Sequence, residues 1–120
     1  MRHIFRVEVI LSGVLAASAW CLTAQGVSAA AGDTSKGKVI YQSQCVACHG
    51  PEGKGDGPIG KNLKPPAGDF SSAESKKKAP EELRGIIENG KPKTAMVAWK
   101  KQLNEADIQN VLAYVLSLRK

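Results

Sequence analysis

Residues 45–49 read Cys45-Val46-Ala47-Cys48-His49, and their types and spacing carry a specific chemistry. Two thiols separated by two residues can reach the two vinyl groups on one edge of a porphyrin and form thioethers. The next residue, His49, is then placed beneath the ring, where its Nε2 can bind iron. This is the attachment sequence of a c-type haem. One short segment supplies both covalent links and one axial ligand. The same pair of cysteines has three other readings: a thiol–disulfide redox pair, half of a zinc site, or a plain disulfide. Zinc is weak because the other histidine, His3, lies in the first few residues. A redox pair of the thioredoxin kind is expected near a βαβ pattern, and none is visible.

Haem iron has a sixth position. Electron carriers commonly fill it with methionine, whose soft thioether favours ferrous iron and raises the potential. The chain has two methionines, Met1 and Met96. Met96 lies 47 residues after His49, so the chain can travel round the haem edge and return on the other face. A lysine ligand would have to lose its proton and leave water. The plain alternative for Met96 is a gap-filling core residue.

The elements that must position these groups begin after an unusual N-terminus. Residues 1–31 contain 20 hydrophobic residues, whereas residues 32–120 contain 31 of 89. Arg2 and Arg6 precede an apolar run from Val9 to Ala24, and Val27-Ser28-Ala29-Ala30-Ala31 ends the segment in small residues. This is the pattern of a secretory signal peptide, with cleavage expected near Ala29 to Ala31. An uncleaved anchor would place the protein on a membrane, although Gln25 and Ser28 weaken a span. Lipid modification at Cys21 is disfavoured by the bulky Trp20 before it. Export would leave Cys45 and Cys48 in an oxidising compartment, and the expected location is the periplasm.

Residues 32–120 are then one domain of about 90 residues, thin on core. Its aromatics are Tyr41, Phe70, Trp99 and Tyr114. A chain this poor in bulk usually needs a staple, a metal or a large cofactor. Three helices are expected, with no sheet, because nothing alternates with period two. The first runs from about Thr34 to Cys45 with Asp33 or Thr34 as N-cap. Gly50 to Gly68 holds six glycines and four prolines, which argues against regular structure. The second helix follows Pro80 and ends at Asn89-Gly90 through a left-handed cap. The third starts at Asn104, with Ile108, Val111, Leu112, Val115 and Leu118 as its apolar stripe. Arg119 and Lys120 suit its negative C-terminal end.

With these motifs in order, residues 34–120 resemble the small class I bacterial cytochromes c. They resemble in particular the single-haem domains of soluble carriers and of terminal oxidase and dehydrogenase subunits. Gly37, Tyr41 and Cys45–Gly50 are similar to the family's first helix and haem motif. Gly53-x-Gly55-x-Gly57-Pro58 and Leu63-x-Pro65-Pro66-x-x-Asp69-Phe70 are similar to its haem-edge loop. Ile87-x-x-Gly90 and Met96-x-x-Trp99 are similar to its methionine loop and the approach to it. The family usually has proline after the methionine, where this chain has Val97.

The resemblance implies an all-α cytochrome c fold around one covalently bound haem c, with crossed first and last helices. Gly37 would allow the close approach, with Tyr114 packed against it. It also implies that a proline carbonyl, Pro65 before Pro58, accepts a hydrogen bond from His49 and raises its donor strength. Trp99 and Tyr41 would line the haem crevice.

From residue 32 onward, 15 Lys and Arg face 10 Asp and Glu. The lysines are either a solvated surface or a ring that steers docking to acidic redox partners. Nucleic acid is disfavoured for an exported chain without a basic recognition motif. The expected function is a monomeric single-electron carrier and not an enzyme. Two rivals stay open. One is a haem enzyme or gas-binding protein with an open sixth site. The other is an electron-transfer subunit of a larger complex.

Overall fold

A computed structural model describes residues 31–120, and the expected signal segment, apart from Ala31, lies outside them. Among the described residues the fold is all-α, as expected, and contains no strand. No described helix is long and apolar enough to cross a membrane.

Helix α1 spans Thr34–Gln44. Asp33 is its N-cap, and the carboxylate accepts from the N–H groups of Ser35 (2.8 Å) and Lys36 (3.1 Å). Two of the donors that a helix start leaves free are thereby satisfied. The helix stops at Cys45, and the chain makes one further turn, α2, over Val46–His49. Helix α4, Pro80–Asn89, starts with proline where a missing N–H costs nothing, and Glu81 and Glu82 lie in its first turn. Its end differs from the expected left-handed cap. Gly90 has φ 75° but ψ −179°, so the chain leaves the helix extended. Helix α5, Glu105–Ser117, is capped by Asn104, whose side chain accepts from Asp107 N–H at 2.9 Å.

The expected count of three helices is too small. The structure adds the turn α2 and a short helix, α3, over Ala73–Lys77. It also places a 3₁₀ turn at Gly60–Asn62, inside the stretch expected to be irregular throughout. None of these is long enough to show a period of apolar residues.

Helices α1 and α5, the first and last described, pack on one another, and α4 packs on α5. Gly37 is the point of closest approach. A Cβ there would collide with the Asn110 carbonyl oxygen and lie 3.0 Å from Tyr114 Cβ. The core is small: Tyr41, Leu83, Ile108, Val111, Leu112 and Val115. Four come from one stripe of α5. Arg84 ties α4 to the start of α5 through Glu105 at 3.0 Å and pairs with Glu88 at 2.9 Å. Arg119 follows the C-terminal end of α5, as expected, but its side chain turns to another element. Its guanidinium reaches back and donates to the carbonyls of Ser75 and Lys78, the latter at 3.1 Å. The Ser75 carbonyl also accepts from Lys78 N–H at 3.0 Å, so the guanidinium adds a second donor there.

Candidate functional site

One turn of helix brings the reactive residues together. The N–H groups of Cys48 and His49 both donate to the Cys45 carbonyl, at 3.2 and 2.9 Å. Positions three and four apart on such a turn share a face. Cys45, Cys48 and His49 accordingly line the same cleft, which encloses about 350 Å³. The two sulfurs are not joined to each other. Burial, with the neighbouring Cys48 sulfur second, pushes the free Cys45 thiol up to about 11.

His49 is oriented by two contacts. Its Nδ1 donates to the Gly68 carbonyl at 3.2 Å. A carbonyl can only accept, so this bond puts the proton on Nδ1 and leaves the Nε2 lone pair free. Its ring also stacks on Phe70, with centroids 4.7 Å apart and planes 21° from parallel. Burial lowers the pKa of the imidazole, and the Gly68 carbonyl partly opposes that shift. The neutral ring is the form a metal ligand requires.

The carbonyl expected from Pro65 or Pro58 is therefore supplied by Gly68. Pro58 instead accepts from Asn62 Nδ2 at 3.3 Å. Pro65 lines the cleft but lies three residues before Gly68, whose carbonyl is aimed at His49 just ahead of the turn at Asp69–Ser72. That turn is held by Asp69, whose Oδ1 accepts from both Ser71 N–H (2.8 Å) and Ser71 Oγ (2.7 Å). Phe70 N–H donates to the Gly53 carbonyl at 2.7 Å. These bonds fix both partners of His49. The sequence offered no sign of Gly68, because a backbone carbonyl has no residue type. Phe70 was visible only as part of the Asp69-Phe70 motif.

Tyr41 is fully buried beneath the site. Its hydroxyl donates to the Gly50 carbonyl at 2.6 Å, immediately after His49. Phe70 and Tyr114 meet its ring edge-on at 6.5 and 5.1 Å. Trp99 is half-buried and lines the cleft, and its N–H donates to Ile87 at 3.0 Å. Met96 lines the same cleft from the loop after α4. The rest of the lining is mainly apolar, with Leu63, Leu83, Ile86, Ile87, Val111 and Val115.

This donor set fits a haem c. Two thiols lie one turn apart, a neutral histidine has a free Nε2, and a thioether shares an apolar cleft with them. Cys45 and Cys48 would carry the covalent links.

Comparison with known proteins gives the same picture. Residues 32–115 match the family described as "Cytochrome C oxidase, cbb3-type, subunit III". Cytochrome c6 of Rippkaea orientalis is 37% identical over 92 residues, 74% of each chain. The cbb3-type cytochrome c oxidase subunit CcoP of Azospirillum sp. (strain B510) is 33% identical over 101 residues. That match takes in 82% of this chain but 33% of CcoP, so the chain spans about a third of that relative's length. The structure of cytochrome c6 from the diatom Phaeodactylum tricornutum superposes with a TM-score of 0.54 at 27% identity. It covers 73% of this chain and 95% of that one. The resemblance read from the motifs is thus supported over nearly the whole described length. The chain belongs to the cbb3-type cytochrome c oxidase subunit III family, and it is a c-type cytochrome of class I that carries one covalently attached haem c and transfers electrons.

Proposed function

We propose that residues 1–31 export the chain, with cleavage near Ala29 to Ala31, and that residues 32–120 work in the periplasm as a monomeric, diffusing single-electron carrier whose iron is held by His49 and Met96. The observation that carries this reading is one apolar cleft containing both residues. His49 enters it with Nδ1 committed to Gly68, and Met96 is the thioether in the same lining. An imidazole and a soft thioether together suit ferrous iron and raise its potential. With both axial positions taken by the protein, a change of oxidation state needs little rearrangement. The protein acts as a carrier and not as an enzyme in itself.

The lysines are assigned to partner recognition. Lys91 lies at the cleft and Lys93 two residues further along the same loop. Both are exposed and would meet an acidic partner surface. Lys78 also lines the cleft, but it faces Glu74 at 3.8 Å and Glu82 at 3.4 Å. Its charge is largely answered within the chain.

The test is spectroscopic. The ferric protein should show the red charge-transfer band of a methionine–iron bond at neutral pH, and Met96→Ala should lose it. A wild-type protein without the band refutes the ligand set and favours an open sixth site. Cys48→Ala and His49→Ala should fail to give stable holoprotein, which haem staining of a denaturing gel checks.

A second reading has its own support. The similarity to CcoP favours a haem subunit held in a larger complex. Stoichiometric co-purification with a membrane oxidase or dehydrogenase would establish that reading and overturn the diffusing carrier.

A further inference from the structure

The family resemblance places a proline directly after the methionine, and this chain has the exposed Val97 there. Something else must hold the loop that presents Met96. The loop is anchored at its base on α4, where Trp99 N–H donates to Ile87 at 3.0 Å and Lys100 N–H to Glu88 at 3.2 Å. Its tip is closed by one side chain. Thr94 Oγ1 donates to the Lys91 carbonyl at 2.8 Å and accepts from Met96 N–H at 3.1 Å. Lys91 N–H donates in turn to the Met96 carbonyl at 3.0 Å. Both backbone groups of Met96 are therefore bonded within the loop, and Thr94 supplies one partner while fixing the residue that supplies the other. Gly90, at φ 75°, lets the two sides of the loop come this near, since a Cβ there would stand 2.7 Å from the Met96 carbonyl oxygen.

We propose that Thr94 is a positioning residue for Met96, its hydroxyl taking over the stiffening that proline would otherwise give. The inference rests on Met96 being the sixth ligand. A thioether is a weak donor, so its occupancy depends on how little ordering the loop still needs when the bond forms. A pre-closed loop leaves little to order. Thr94→Val keeps the shape of the side chain and removes both of its hydrogen bonds. The Met96 N–H then has no partner in the loop, and open loop conformations gain weight. A net loss of about 1.4 kcal/mol for the two bonds together corresponds to roughly a tenfold change in the open population.

The experiment uses holoprotein and two readouts. Amide hydrogen exchange at Met96 should be about tenfold faster in Thr94→Val than in wild type. Imidazole, a competing ligand added to the ferric protein, should bind about tenfold more tightly. Thr94→Ser, which retains the hydroxyl, should stay near wild type in both, and the helical circular dichroism melt should move little in either variant. If Thr94→Val gives no folded holoprotein, Thr94→Ala takes its place with the same two readouts. Either readout unchanged in the hydroxyl-less variant overturns the role of Thr94. Met96→Ala separates this from failure of the ligand reading. It should bind imidazole more tightly still, and if it binds no better than wild type, Met96 is not the ligand and both conclusions fall.

Discussion

Tyr41 shows how much one buried polar atom can decide. Its ring fills the centre of a small core, and its hydroxyl answers the carbonyl of Gly50, the residue that follows His49. Tyr41→Phe keeps the ring and leaves that carbonyl with the Gly53 N–H, at 3.2 Å, as its remaining donor. The expected loss is about 0.5–1.5 kcal/mol of stability, read from the midpoint of chemical denaturation at neutral pH. Burial also raises the phenol well above its ordinary pKa of about 10. A raised folded-state pKa gives stability that is complete below about pH 10 and is lost as pH climbs toward the folded value. The gap between wild type and Tyr41→Phe should therefore narrow above about pH 10. A gap that stays constant to the highest usable pH would show that the phenol ionises equally in both states. At this scale Cys45, Cys48 and His49 were legible because their types and spacing are the chemistry. Gly68 was not legible, since what it offers His49 is a backbone oxygen.

Among the elements, the helix starts were legible and the short turns were not. Asp33, Pro80 and Asn104 act on donors within their own first turn, so sequence-local chemistry is enough to place them. The turn α2 and helix α3 are too short to stand alone and form only where the rest of the fold holds them. The contact between α1 and α5 lies between these cases. Gly37 suggests a close approach, but the group it makes room for, the Asn110 carbonyl, is known only from the packed helices. Gly37→Ala puts a methyl into that carbonyl and must separate the helices. It should cost at least about 1–3 kcal/mol, measured as a lowered melting temperature, despite alanine's better helix propensity. A stabilised Gly37→Ala protein would mean that the two helices do not meet there.

Across the whole molecule, the cleft is walled by segments far apart in the chain, and long-range ties hold the walls. Arg119, one residue from the end of the described chain, bonds the carbonyls of Ser75 and Lys78. Ser75 and Lys78 line the cleft. The tie therefore joins the end of α5 to the wall that α3 contributes. Hydrogen bonds from a charged donor contribute about 1.5–3 kcal/mol, so Arg119→Ala should destabilise by an amount in that range. Hydrogen exchange should rise first at the amides of Ala73–Lys78, ahead of those in α5. A uniform rise across the protein would instead mark a general loss of core packing. Surface pairs such as Lys54 with Glu52 at 2.7 Å should matter little by comparison.

The sequence by itself determined the attachment chemistry, the main helices and the need for a large apolar partner. Each of these depends on residue type, on near neighbours or on composition. The order of Cys45, Cys48, His49 and Met96 along the chain was enough to name a haem site. Only the tertiary structure decided which carbonyl orients His49, that Phe70 stacks on its ring, and that Thr94 rather than a proline closes the Met96 loop. The physical reason is the same in each case. These are contacts made by backbone atoms or by ordinary side chains, and their meaning comes from where folding puts them.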